Sequence, residues 1–213
     1  MKKVSLIFSA ILLTALLLSS CGSEYKEVKI GNQVWMTENL NVDKFRNGDP
    51  IPEAKTAVEW EKLGKEGKPA WCYYDNDITN GEKYGKLYNW FAVNDLRGLA
   101  PEGWRIPNDS DWLKLSNFLG GEMVSGTKMK SIEHWFENGN GTNLCGFNAL
   151  PGGFRNIAGT FFDIGKNISF GSATEKSNEE SYYVFLEYSG GFLHIGSSIY
   201  SPKSCGKYIR CVK

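Results

Sequence analysis

The sequence predicts an α+β domain made of two short helices, an antiparallel sheet and long loops. Three observations support this class. Helical periodicity is confined to two short stretches, apolar and polar residues alternate near both ends of the chain, and the glycine-rich stretch 139–171 has loops too long for a barrel of tight hairpins. Helices and strands that are segregated along a chain, rather than alternating, favour an α+β arrangement.

The first predicted helix runs from about Ala57 to Leu63. Thr56 and Glu59 have the spacing of a capping box, in which a hydroxyl and a carboxylate each accept a backbone amide of the first turn. Gly64 then ends the pattern. We therefore expect one short amphipathic helix here.

The second predicted helix begins inside the segment GWRIPNDSDWLKL, residues 103–115. Pro107 ends an extended entry, Asn108 can cap the helix, and the Asp111 carboxylate can reach back to the cap's amide. Apolar residues then recur at intervals of three and four until Gly120-Gly121. This cluster of polar and aromatic residues therefore predicts the start of a helix rather than an active site.

Alternating apolar and polar residues predict the strands. The segment EVKIGNQVWMTENL alternates on both sides of Gly31-Asn32, which predicts a hairpin. Near the C-terminus, the segments SYYVFLEY, FLHIGSSIY and KYIRCV are separated by turn residues. Three such segments in succession predict an antiparallel meander.

The N-terminus has the features of a lipoprotein signal peptide. Two lysines precede the apolar run 4–18, and the sequence Leu-Ser-Ser-Cys ends at Cys21. A run of this length is short for a membrane-spanning helix, which needs roughly 20 residues. We expect residues 1–20 to be removed, Cys21 to carry the lipid, residues 21–27 to form a tether and residues 28–213 to form a single domain.

The net charge and the length of the chain limit the classes of function that it can have. Without the leader, 22 basic residues face 24 acidic ones, so no basic excess points to nucleic acid. A chain of this size can bury a substantial core. The lipid places the protein in the cell envelope, and glycine rather than aspartate after Cys21 favours the outer membrane or cell surface.

Four cysteines remain besides the lipidated one: Cys72, Cys145, Cys205 and Cys211. In an exported chain they predict two disulfides, for which three pairings are possible. They contain no CxxC motif and no histidine lies near them in sequence, so a zinc site is not expected.

Aromatic residues in polar loops are the predicted ligand-binding surface. They are Trp71, Tyr73, Tyr74 and Trp135, together with the acidic residues Asp75 and Asp77. Aromatic rings can stack on sugars or anchor in protein grooves, and binding residues concentrate on loops. Because the chain has seven tryptophans, most are expected in the core, and packing is the alternative role for each of these rings.

The segment YYDNDITNGEKYGK also resembles a calcium loop, because Asp75, Asp77 and Thr79 alternate along it. Its glycine stands at the seventh position instead of the sixth. Lys86 occupies the twelfth position, where such loops have a bidentate glutamate. The spacing favours a solvated turn, and neither a metal nor another cofactor is predicted.

No catalytic residue is predicted. The chain lacks a Gly-x-Ser-x-Gly elbow, and its histidines, His134 and His194, lie in a polar turn and on an apolar strand, where surface or packing roles are expected. The 24 acidic residues are scattered, so no glycosidase pair can be recognised among them.

Five segments follow one another along the chain in a recognisable order: IGNQVWMTENLN, YGKLYNWFAV, PEGWRIPNDSDWLKL, GFNALPGGFRN and GKYIRCVK. Together they resemble the Fibrobacter succinogenes major paralogous domain, found mostly on bacterial surface lipoproteins. The resemblance spans about residues 27–213 and implies no established activity. The same segments are remotely similar to the C-type-lectin-like fold of formylglycine-generating enzymes, through Arg105-Ile106-Pro107, Asp111-Trp112 and Tyr208-Ile209-Arg210. This likeness implies a fold, not a reaction.

The chain departs from the family pattern at three positions. Arg105, Ala100 and Gly171 stand where the family commonly has histidine, cysteine and tryptophan. If the usual partner of the terminal cysteine is lost at Ala100, the resemblance implies a Cys205–Cys211 disulfide and a Cys72–Cys145 disulfide.

The sequence as a whole predicts a lipid-anchored envelope protein whose domain binds a glycan or an envelope protein. Two alternatives are a structural or assembly subunit of a surface complex and an enzyme related to the formylglycine-generating proteins. The calcium-dependent sugar-binding motifs of lectins, Glu-Pro-Asn or Gln-Pro-Asp with Trp-Asn-Asp, do not occur in the chain.

Overall fold

The architecture was determined from a computed structural model, which describes residues 25–196 and 201–213. The helices are α1 Ala57–Lys65, α2 Ile78–Tyr84, α3 Trp90–Val93, α4 Asp109–Phe118 and α5 Glu122–Met129. The strands are β1 Glu27–Ile30, β2 Gln33–Met36, β3 Trp71–Cys72, β4 Leu87–Tyr88, β5 Phe154–Arg155, β6 Phe161–Phe162, β7 Asn167–Glu175, β8 Ser181–Glu187 and β9 Leu193–Ile195. The domain is therefore mixed α and β, with small antiparallel sheets. The predicted signal peptide and Cys21 lie outside the described residues.

Both predicted helices and the predicted hairpin are confirmed. Helix α1 begins with a reciprocal capping box between Thr56 and Glu59. Helix α4 begins with a second one, because Asn108 accepts the backbone amide of Asp111 and the Asp111 carboxylate accepts that of Asn108. Strands β1 and β2 pair antiparallel around the predicted turn.

Three further helices were missed by the sequence analysis because they are short and lack a clear apolar stripe. Asp77 caps α2 and Asn89 caps α3 through their side chains, whereas α5 follows Gly121 without a side-chain cap. Across residues 25–196 and 201–213, no helix combines the length and apolarity that crossing a membrane requires.

The main sheet has the order β7-β8-β9, with both pairs antiparallel. The predicted meander was wrong in its third strand. The third strand of the observed sheet is β7, which begins near the end of the glycine-rich stretch. The KYIRCV segment does not pair with β9. Instead, Tyr208 bridges Phe170 of β7, and Val212 bridges both Trp35 and Arg105. The C-terminal segment therefore ties the sheet to the N-terminal hairpin.

The central core lies between the sheet and α4. Side chains that alternate along β7 and β8, such as Phe170 and Val184, point into it. Trp112 of α4 is fully buried there, with its ring centroid 4.8 Å from that of Trp35 and 5.4 Å from that of Phe170. Because a strand presents successive side chains to opposite faces, the other face of β7 and β8 is free to form a site.

The four cysteines are free thiols, so the predicted disulfides are absent from the structure. Each thiol lies in its own environment. Cys72 is buried near Arg155, and Cys145 donates to the Lys128 carbonyl over 3.2 Å. Cys205 lies near Lys207, and the buried Cys211 is near Arg210.

Candidate functional site

Most of the predicted aromatic surface is buried, which corrects the sequence prediction for those rings. Trp71, Tyr74 and Trp135 are each 5–6% exposed. The indole of Trp71 donates to the Ile51 carbonyl, and that of Trp135 donates to the Ala149 carbonyl over 3.2 Å. These rings pack in the core, where both indole nitrogens have backbone partners, and they leave almost no surface for a ligand.

The other three predicted ligand residues, Tyr73, Asp75 and Asp77, lie nearer the surface. Tyr73 is half-buried and meets Trp71 edge to face, with ring centroids 5.1 Å apart. Asp77 accepts the Thr79 amide as the cap of α2, and exposed Asp75 has a positive φ of 53° in the preceding turn. Ligand binding at these residues stays a prediction, since local packing and helix capping already account for Tyr73 and Asp77.

A different site lies on the outer face of the main sheet. We call it the sheet pocket, a cavity of about 240 Å³. It is lined by Phe154, Asn167, Ser169, Tyr183, Phe185, Glu187, Ser201, Cys205 and Lys207. This volume lies below the roughly 300–1,000 Å³ of pockets that enclose drug-sized molecules, so the pocket suits about one sugar-sized ring at a time.

Aromatic pairs form the walls of the sheet pocket. Tyr183 and Phe185 alternate on β8 and stack with ring centroids 5.6 Å apart. The imidazole of His194 lies parallel to Phe185 at 4.0 Å and fixes that ring from the side of β9. On the opposite wall, Phe154 stacks on Phe162 at 5.6 Å. These contacts hold the rings in place before any ligand arrives, which reduces the entropy lost on binding.

The amine of Lys207 marks one end of the pocket. Lys207 is 6% exposed, and its Nζ lies 5.2 Å from the centre of the Tyr183 ring. Its Cβ is near Gly171, which pairs with Tyr183 across the sheet. Within the described part of the chain, this amine takes part in no hydrogen bond and no ion pair. Burial lowers the pKa of Lys207 below its ordinary value, and the nearby Cys205 thiol opposes that effect.

Polar groups mark the other end. Glu187 pairs directly with Asn167 between β8 and β7. Glu187 is four residues from Tyr183, a distance of about 13 Å along a strand that rises about 3.3 Å per residue. The Ser169 hydroxyl lies between the two ends and donates to the Asn167 side chain at 3.2 Å. The pocket therefore has a cationic end, an aromatic middle and an end with a carboxylate and an amide.

A larger cavity of about 560 Å³ lies beside the start of the domain, between Tyr25 and Lys44. Two of its charged groups are already paired, since Lys26 forms an ion pair with Glu38 at 2.7 Å and both side chains are well exposed. Exposed charges of this kind are screened by water and salt, so they are a weak basis for recognising a ligand. The sheet pocket is the better candidate because Lys207, which is only 6% exposed, has no hydrogen-bond or ion-pair partner in the described part of the chain. In the described part of the chain, no cluster of three metal-ligating side chains occurs.

The sequence analysis missed the residues of the sheet pocket, although β8 carries a signal for them. In SYYVFLEY, Val184 and Leu186 form the core face, yet the alternate positions Tyr183 and Phe185 are also large and apolar. A sheet with one solvated face would have polar residues there, so two apolar faces indicate a second contact surface. Nothing in the sequence around Lys207 indicates that its amine lacks a partner.

Comparison with protein-family models matches residues 28–213 to the family described as the Fibrobacter succinogenes major domain. The match covers almost all of the described chain, so the protein belongs to this family and the resemblance is confirmed. Among curated proteins none matches, and none of the solved structures does.

Proposed function

We propose that this member of the Fibrobacter succinogenes major domain family is a lipid-anchored envelope protein that binds a glycan in the sheet pocket. The observation that carries the proposal is the pair of preformed aromatic walls around a row of polar groups. Sugars combine apolar ring faces with hydroxyl groups, and a site with fixed aromatic rings and a few convergent polar atoms is suited to such a ligand.

The anchor is proposed from the Leu-Ser-Ser-Cys sequence ending at Cys21. Several acyl chains on one residue hold a protein on a membrane far more firmly than a single chain does. In a Cys21→Ala variant, incorporation of radioactive palmitate should be lost. Membrane association that persists in this variant after a carbonate wash contradicts the anchor.

The C-type-lectin-like fold is also a proposal. The positions that carry the likeness are close in space. Arg105 forms an ion pair with Asp111 in which Nη2 and Oδ1 are 2.8 Å apart, and Trp112 shares a core cluster with Tyr208. An experimental structure whose chain path differs from lectin-like domains around these residues would exclude the relationship.

Glycan binding can be tested with the full-length lipoprotein in detergent micelles on an array of bacterial and plant polysaccharides. Phe154→Ala removes one aromatic wall and should weaken binding of every bound glycan about tenfold, the size of a moderate hot spot. The matched control is Phe136→Ala, because Phe136 is an exposed phenylalanine that packs on Tyr188. Absence of binding to every polysaccharide, together with envelope proteins recovered by cross-linking, would replace this proposal with an assembly role.

The location of the bound glycan can be checked independently by thiol protection. Cys205 lines the pocket, whereas Cys145 does not, and both are half-buried with a pKa raised by burial. A ligand in the pocket should slow alkylation of Cys205 severalfold and leave Cys145 unchanged. Equal rates at Cys205 with and without a bound glycan would place the glycan elsewhere.

A further inference from the structure

Buried cations in this domain are held by oxygen atoms, with one exception. Six lysine or arginine side chains among the described residues are at most 6% exposed: Lys86, Lys130, Arg155, Lys203, Lys207 and Arg210. A buried charge is costly unless it is paired or hydrogen-bonded. The exception is therefore a cation for which the fold supplies no oxygen partner.

Five of the six meet this requirement within the chain. Lys130 donates to the carbonyls of Glu187 and Gly190 at 3.0 and 2.7 Å. Arg155 donates to two carbonyls, and Arg210 donates to carbonyls and to Asn39. In the remaining two, Lys86 binds the carbonyl and side chain of Asn41, and Lys203 binds the Asn178 carbonyl and the Glu175 carboxylate.

Lys207 is the sixth. Its amine lies over the Tyr183 ring and near the Cys205 thiol, and within the described chain it forms no hydrogen bond and no ion pair. An aromatic face stabilises a cation by much less than it costs to remove an ammonium group from water. The carboxylate that lines the same pocket belongs to Glu187, which the strand spacing places about 13 Å along the sheet. No group of the described chain therefore serves as the counter-ion of Lys207.

We propose that the sheet pocket selects sugars that carry a carboxylate, and that this carboxylate binds Nζ of Lys207. The inference rests on the proposed glycan-binding function and names its ligand class. A uronic acid ring fits the order of groups in the pocket, with its carboxylate at the cationic end and its ring face on Tyr183 and Phe185. Its hydroxyls, or those of the next ring, donate to Glu187 and Asn167.

The charge of the pocket favours a carboxylate over a phosphate. With one lysine and one glutamate, the empty pocket is electrically balanced, and a ligand with a single negative charge leaves one net negative charge. A doubly charged phosphate would leave a net charge of minus two, and like charges in a partly enclosed pocket repel each other more strongly than they do in open water. A neutral sugar would leave the Lys207 amine without a partner after the ligand has displaced water from it.

The test compares an acidic oligosaccharide with its own methyl ester. Titration calorimetry of the full-length lipoprotein in detergent would use a trimer of galacturonate, a glucuronate-containing oligosaccharide, and the methyl ester of each. The acid should bind about tenfold or more tightly than its ester, the effect of one hydrogen bond between charged groups. Lys207→Met should remove this preference, and Lys207→Arg should keep part of it.

The matched control is Lys166→Met, which removes an equal charge next to Asn167 from a side chain whose amine lies over Phe136 instead. This variant should retain the preference for the acid. Equal affinity of acid and ester for the unmodified protein, with binding that Phe154→Ala weakens, overturns acid selection and leaves glycan binding standing. A preference that survives in Lys207→Met also overturns it. If no glycan binds at all, both proposals fail.

Discussion

Two buried lysines, Lys130 and Lys207, show how the same side chain can serve the fold or a ligand. Lys130 is 2% exposed and donates to carbonyl oxygens at the end of β8, while its amine lies 4.9 Å from the Trp135 ring. Lys207 is almost as deeply buried and also lies near an aromatic ring, but no oxygen of the described chain reaches its amine. The difference lies in the partners and not in the depth of burial.

The buried cations of this domain therefore differ in whether the chain supplies oxygen partners for them. Where carbonyls converge on a cation, the cation joins loops that have no regular strand partner. The domain contains much irregular chain, and Lys130, Arg155 and Arg210 hold it together in this way. Where the cation has no such partner, its burial lowers stability, and a ligand can supply what is missing.

The largest expected effect is on stability and comes from Lys130→Met. Methionine fills the volume but donates no hydrogen bond, so the carbonyls of Glu187 and Gly190 lose their shared partner. The free energy of unfolding should fall by about 3 kcal/mol, measured by urea denaturation in a reducing buffer. Lys166→Met serves as the control for charge. If both variants are equally stable, water replaces the lysine amine, and the claim that Lys130 stabilises the fold through these carbonyls is wrong.

Lys207→Met should change the free energy of unfolding in the opposite direction. Removing an unpaired buried charge while keeping an apolar side chain of similar length should raise the free energy of unfolding by about 1–2 kcal/mol. The same denaturation experiment measures this change. A loss of stability as large as that of Lys130→Met would mean that the amine has a structural partner, and it would contradict the assignment of Lys207 to a ligand.

The smallest effect is a dependence of this gain on pH. Burial lowers the pKa of Lys207 in the folded chain below its ordinary value of 10.5. Between the two pKa values the unfolded chain binds more protons, so the free energy of unfolding contributed by Lys207 rises with pH in that window. Below this pH window the amine is charged in both states, so the full cost of burying its charge lowers the stability of the folded chain. The stability difference between Lys207→Met and the unmodified protein should therefore shrink as the pH approaches 10.5.

Denaturation curves of both proteins at pH 7, 8, 9 and 10 measure this trend. The buried tyrosines and cysteines titrate in the same range, but they are common to both proteins and largely cancel in the difference. A difference that grows with pH contradicts the lowered pKa of Lys207.

Local signals in the sequence predicted part of the fold. The capping boxes at Thr56 and Asn108 and the Gly31-Asn32 turn depend on neighbouring residues, and the structure contains all three. The path of the C-terminal segment could not be predicted in this way. Tyr208 and Val212 bond to partners far away in sequence, and alternation within a segment does not reveal which strand it will meet.

The site was less accessible to prediction than the fold. Trp71 and Trp135 were chosen because aromatic rings in polar segments suggest exposure, but the chain buries both around the cations Lys86 and Lys130. Conversely, Lys207 differs from other lysines only in what surrounds it. A missing partner is a property of three-dimensional packing and leaves no trace in a single sequence.

The most direct test of the central claim is the pKa of Lys207 itself, with and without an acidic sugar. The signal of its ¹³C-labelled ε carbon can be assigned by its absence in Lys207→Met and followed by NMR as the pH is raised. We expect a low pKa in the free protein, an upward shift of this pKa with saturating galacturonate trimer, and a smaller shift or none with the methyl ester. A pKa that is unchanged by the acid, or raised equally by acid and ester, would contradict the claim that a ligand carboxylate is the missing partner.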